Sequence, residues 1–296
     1  MTTAAENHVL DAPHLWRMGL CVSDSDDFRT LDAVVFSTVG AAPLSRLAIP
    51  MDTAGQDSLS ALEEAVYANP ILLNDFGRTD ILVRATRFVI VPDDPGASAE
   101  TDHAIALSAG LLTDDISRPP VPGGYQTMSS TIPSAGVRIV YALPQPLAGF
   151  LRRTFPTARF HHHLAPLAHF FHAKSTSGNA RKLFVHFHPG AGIGRGHADI
   201  LSFGPDGTPT VLTTLAFACP MDAVYYILAT GGGASFRPEA DELMVSGDPE
   251  LRKAIVPLLR KFVNYVMPVI FPSEVFRLGK EAIHAPFPLI LIPLCE

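Results

Sequence analysis

Apolar residues recur along the chain with two periods, and together they lay out one plan twice. Leu15 to Val22 and Leu31 to Thr38 have the pattern of strands joined by the acidic turn Ser23-Asp-Ser-Asp-Asp27, and Arg46 to Ile49 predicts a third strand. These three predict an antiparallel meander. Leu59, Leu62, Ala65 and Val66 repeat at helical spacing, so a helix is predicted over Ser58 to Ala68 with Asp57 as its N-cap. Ile81 to Pro92 predicts a buried strand or strand pair ending at the turn Pro92-Asp-Asp-Pro95, followed by helix Ser98 to Leu111. Thr113 to Ser134, rich in Pro, Gly and Ser, predicts an exposed loop. Strand Val137 to Ala142 and helices Pro146 to Thr154 and His163 to Lys174 complete the first run, which ends in the polar linker Ser175 to Ala180.

The second run begins again with strands Leu183 to His188, Ala198 to Phe203 and Thr210 to Ala218, the last two joined by Gly204-Pro-Asp-Gly207. Helix Met221 to Ala229, strand Glu242 to Ser246, helix Pro249 to Val266 and strand Val275 to Leu278 follow. The residues themselves do not repeat, so the duplication is one of pattern. It predicts an α/β protein of two domains, residues 1–174 and 175–296.

Composition narrows the function classes. With 47% apolar and 17% charged residues over 296 positions, the chain has material for a sizeable core or two, since one core stops growing at roughly 250 to 300 residues. A net charge of -7 gives no footprint for a phosphate backbone, so no nucleic-acid partner is expected. Cys21, Cys219 and Cys295 are odd in number and widely spaced, which points to a reducing compartment and away from a disulfide framework or thiolate zinc site. Met1 to Leu10 lacks the basic start and apolar run of a secretory signal, and the apolar run Ala285 to Cys295 is broken by three prolines. A cytoplasmic protein without a membrane segment is expected.

Four segments carry a closer resemblance: Phe88-Val-Ile-Val-Pro92 and Val140-Tyr-Ala-Leu-Pro144, each before a helix, Pro220-Met-Asp-Ala-Val-Tyr-Tyr-Ile227, and the terminal Leu294-Cys-Glu296. With the duplicated meander, they make the chain resemble an uncharacterised bacterial domain-of-unknown-function family in the superfamily of actin, sugar kinases and heat-shock chaperones. That resemblance implies two ribonuclease-H-like (actin-like ATPase) domains, each a mixed sheet with a three-strand meander and flanking helices. It assigns no activity.

Active members of that superfamily carry a phosphate loop, Asp-x-Gly-Thr or Ser, between the first two strands of each half, where backbone N–H groups point at phosphate. The matching turn in the first half keeps Asp24 and Ser25 but has no glycine and adds negative charge. In the second half, His188-Pro-Gly190-Ala-Gly192-Ile-Gly194-Arg-Gly196 has the glycines without a preceding acid. The adenosine motif falls at Val245-Ser-Gly247-Asp248-Pro249, where one glycine remains and Asp248 with Pro249 reads as a helix start. Gly231-Gly-Gly233 reads as a helix stop and loop.

His186 and His188 share a strand face and His197 begins the returning strand, which makes them candidate zinc ligands. Phe184 on that face and the lack of an obvious carboxylate partner argue for ordinary histidines instead. Neither H-E-x-x-H nor G-x-S-x-G occurs. The sequence thus predicts no cofactor and a non-catalytic protein working through an unidentified protein partner. The alternative is an ATP/Mg-dependent phosphotransferase or ATPase using Asp24, Ser25, Gly190, Gly192, Gly194 and Gly247.

Overall fold

A computed structural model of the chain describes residues 12–24, 28–37, 44–53, 57–114, 120–175 and 180–295. Two compact units divide it. The first holds Met1–Thr131, Val137–Pro166 and Pro272–Glu296, and the second holds Ile132–Gly136 and Leu167–Phe271.

In the first unit, β1 (Trp16–Ser23), β2 (Thr30–Ser37) and β3 (Ser45–Pro50) form the expected antiparallel meander. On the other side of β1, β4 (Arg78–Arg84) and β8 (Arg159–His162) run parallel to it, giving the order β3-β2-β1-β4-β8. Burial is near-continuous along β1 and β4, and it takes in the polar Arg17, Thr79 and Asp80 as well as the apolar residues. A smaller sheet, β5-β7-β6, is built from β5 (Phe88–Pro92), β6 (Tyr125–Ile132) and β7 (Val137–Pro144). Helices α1 (Ser58–Tyr67), α2 (Ala99–Ser108) and α3 (Gln145–Thr154) connect these strands. Asp57 caps α1 as predicted, accepting from Ser60 N at 2.9 Å.

The second unit has the same plan. Strands β9 (Lys182–Pro189), β10 (Gly196–Phe203) and β11 (Pro209–Phe217) are an antiparallel meander, and β12 (Glu242–Gly247) and β13 (Tyr265–Pro268) run parallel to β9. The order β11-β10-β9-β12-β13 matches that of the first sheet position by position. Alternate residues of β9 and β10, among them Val185, Phe187, Ala198 and Ile200, join a core with α5 (Pro220–Gly233) and α6 (Pro249–Leu259). The intervening residues face the other side, where Phe184 stacks on Phe171 of α4 (Leu164–Ser175) with ring centroids 4.5 Å apart.

Several elements depart from the pattern reading. β6 lies inside the predicted loop, because its sequence, Tyr-Gln-Thr-Met-Ser-Ser-Thr-Ile, is mostly polar and only partly buried. β8, which falls between the predicted helices Pro146 to Thr154 and His163 to Lys174, is a four-residue strand whose pairing partner lies some eighty positions upstream. α6 ends at Leu259: Ile255, Leu259, Val263 and Val266 are all buried at nearly helical spacing, but the last two reach the core from a turn and from β13. Val275 to Arg277 lie in a short helix, α7 (Ser273–Arg277), with Leu278 as its C-cap, rather than in a strand. The glycines 231 to 233 belong to α5, where Gly231 lets the helix approach Leu183 closely.

Candidate functional site

Asp24 stands directly after β1, where the first phosphate loop was expected. Its carboxylate accepts from Thr86 N at 3.0 and 3.1 Å and from Thr86 Oγ1 at 3.1 Å, and its own N–H donates to Arg84 O at 3.3 Å. These bonds tie the end of β1 to the turn between β4 and β5. Desolvation raises the Asp24 carboxyl to about 6, outweighing the Thr86 hydrogen bonds and the nearby positive charges of His163 and Arg84. The Asp24 carboxylate is thus engaged by the backbone and the hydroxyl of Thr86 within the first unit. Ser25 lies outside the described residues. Behind the turn, burial pushes the Cys21 thiol up to about 12 against the opposing charge of Arg84, so it is no nucleophile.

In the second unit the turn between β9 and β10 is closed by Gly190 N to Arg195 O at 3.1 Å. Gly192 and Gly194 take φ of 110° and 72°, so the tight turn itself requires glycine there. Gly247 has φ 96°, and a Cβ on it would collide with the backbone of Phe187 on the neighbouring strand. Asp248 caps α6 through Leu251 N at 2.8 Å with Pro249 following, as the sequence predicted. Gly192, Gly194 and Gly247 therefore each have a structural use within their own unit.

Below this turn lies a polar cluster that sequence spacing only half revealed. Antiparallel pairing sets His188 opposite His197 and His186 opposite Asp199, all on one face of the sheet. His188 Nε2 hydrogen-bonds Asp199 Oδ2 at 2.5 Å, and Thr214 Oγ1 donates to the other carboxylate oxygen at 2.8 Å. His186 Nδ1 meets Ser246 Oγ at 2.9 Å, with the two imidazoles 4.6 Å apart. Asp199 is the carboxylate partner that the sequence reading lacked. It lies two residues beyond His197, and only the ladder register carries it to the histidines.

Chemically, the cluster holds a Ser-His pair and a His-Asp pair on different rings, whereas nucleophilic catalysis needs one imidazole between serine and acid. All four side chains are buried. Among the described residues His186, His188 and His197 do not converge as a ligand set. Hydrogen bonds within the cluster join β9 to β12 through His186 and Ser246, β9 to β10 through His188 and Asp199, and β10 to β11 through Asp199 and Thr214.

The five-strand sheet, repeated with the same strand order in both units, is that of an actin-like ATPase fold. The chain belongs to the family described as protein of unknown function (DUF3822), whose pattern matches residues 32–266. A Bacteroides thetaiotaomicron protein with an actin-like ATPase fold and unknown function superposes with TM-score 0.73 at 17% identity, covering 95% of this chain and 97% of that one. The cytoplasmic domain of EpsL, an inner-membrane component of the Vibrio cholerae type II secretion system, gives TM-score 0.44 at 11% identity over 93% and 98% of the two chains. No curated protein matches in sequence. Among the described residues no helix is long and apolar enough to cross a membrane.

Proposed function

We propose that this protein is a non-catalytic, cytoplasmic member of the actin-like fold that acts by binding another protein, with neither nucleic acid nor membrane as its target. The observation that carries the reading is the engagement of Asp24: the acid that would position a metal and phosphate is instead a hydrogen-bond acceptor within the fold. Supporting it, Phe262, Tyr265, Met267 and Ile270 are all exposed near one edge of the second sheet, where nothing catalytic requires them. Free cysteines suit a reducing compartment.

The competing reading, an ATP/Mg-dependent phosphotransferase, is separated by calorimetry. Titration of the purified chain with Mg-ATP is expected to give no saturable heat up to about millimolar nucleotide, and binding in the micromolar range overturns the proposal.

A further inference from the structure

We infer that the open edge of the second sheet, together with the groove beside it, receives an extended segment of a partner protein that carries apolar and acidic residues on one face. The inference rests on the protein-binding reading above and names its surface.

β13 is the last strand of its sheet, and among the described residues it pairs with β12 alone, from Glu242 opposite Tyr265 to Val245 opposite Pro268. Its outer edge therefore presents backbone donors and acceptors to an added strand. Proteins blunt such an edge with shortness, proline or charge, and β13 is short and ends in Pro268, which leaves the backbone of Tyr265 to Met267 to pair. Here the residues around it are apolar and exposed, from 49% for Met267 to 73% for Ile270.

Between α6 and β13 runs a groove of about 480 Å³ whose apolar lining includes Val245, Val256, Val266 and Met267. Its rim is cationic. Arg252 donates from Nε to Gly247 O at 3.0 Å, which fixes the guanidinium there. Lys253 lies 4.0 Å from Glu250, an exposed pair of little energetic worth. Arg260 is exposed on the same rim, with no ion pair among the described residues. In a chain of net charge -7, three cations around an apolar groove select a ligand of opposite sign. An extended segment meets both demands: every second side chain of a strand added beside β13 points to the α6 side of the sheet, where apolar residues enter the groove and carboxylates meet Arg252 and Arg260 on its rim.

The test is selection of displayed random peptides of about twelve residues on the intact protein, followed by binding of the enriched peptide in solution. Expected are sequences in which every second position is taken by Asp or Glu and by Val, Ile or Phe, so that both kinds share one face. Their affinity should fall about tenfold or more on the R252E/R260E variant, the loss of charge pairing being worth at least ~1.4 kcal/mol. The K253E/R260E variant leaves the Arg252 to Gly247 bond intact and should show the same direction, with unchanged circular dichroism. Methylating alternate backbone amides of the peptide should also weaken it.

Enrichment without acidic bias, equal binding to both charge-reversed variants, or no enrichment overturns the inference. So does sedimentation showing a homodimer that the variants abolish, since the occupant would then be a second copy of this chain. Micromolar Mg-ATP binding alongside charge-sensitive peptide binding would remove the non-catalytic reading alone. Charge-insensitive peptides without ATP binding would remove this inference alone.

Discussion

Two carboxylates show how far single residues can be read in advance. Asp24 is visible in the sequence as an acid in the first turn, but its partner Thr86 lies 62 positions away, and without that contact the residue looks like a degraded metal ligand. The partnership of Asp199 is hidden for the same reason, because strand register rather than sequence distance brings it to His188. The state of Asp24 carries a pH signature. Its folded value, about 6, is raised above an unfolded value near 4. Its contribution to stability is therefore fully present below pH ~4 and lost as pH rises through about 6. Asp24→Asn keeps an acceptor for Thr86 and removes the ionisation. Denaturant titrations should show the variant gaining on the wild type between pH 4 and 7, by on the order of 2 kcal/mol at pH 8. A difference that does not change with pH would contradict this account of the turn.

Elements with strong local signals were legible: both three-strand meanders, α1 with its Asp57 cap, and α6 with Asp248 and Pro249. The rest depended on contacts that sequence periodicity does not encode. β8 is only four residues long and exists because β4 supplies a parallel partner, and β13 continues an apolar spacing that looks helical. The glycines of α5 are the clearest case, since a run of Gly normally marks a helix end. A Cβ at Gly231 would sit 2.9 Å from Leu183 Cδ2 and 3.4 Å from Phe236, whereas one at Gly232 would have nothing within 4 Å. The two positions should therefore respond oppositely. Gly232→Ala is expected to stabilise by up to about 1 kcal/mol through helix propensity. Gly231→Val is expected to destabilise by about 1 to 3 kcal/mol through overpacking against the sheet. Thermal melts of the pair check this, and equal shifts would mean that helix-sheet contact is not what keeps residue 231 small.

For the whole molecule, the duplicated sheet order could be anticipated from two runs of the same pattern, but not where the last segment packs. A chain that alternates strands and helices to its end gives no sign of which sheet its final helices serve. In the structure Pro272–Glu296 belongs to the first unit: Leu44 N donates to Leu278 O at 2.7 Å, and a Cβ on Gly19 of β1 would lie 3.1 Å from Leu289. Phe287, Leu289, Ile290, Leu291 and Ile292 are nearly inaccessible to solvent. At about 1.5 to 3 kcal/mol for each such side chain, their burial amounts to ~10 kcal/mol, comparable with the entire stability of an ordinary domain. The second unit has its own core, built from β9 to β13 with α5 and α6, and does not draw on these residues. Truncation after Phe271 should therefore act unevenly. Hydrogen exchange of the shortened chain is expected to show lost protection across β1, β2 and β4 with β9, β10 and β12 still protected. Uniform loss across both sheets would show that the two units fold as one cooperative body, and unchanged protection of β1 would show that the terminal helices are dispensable to the first core.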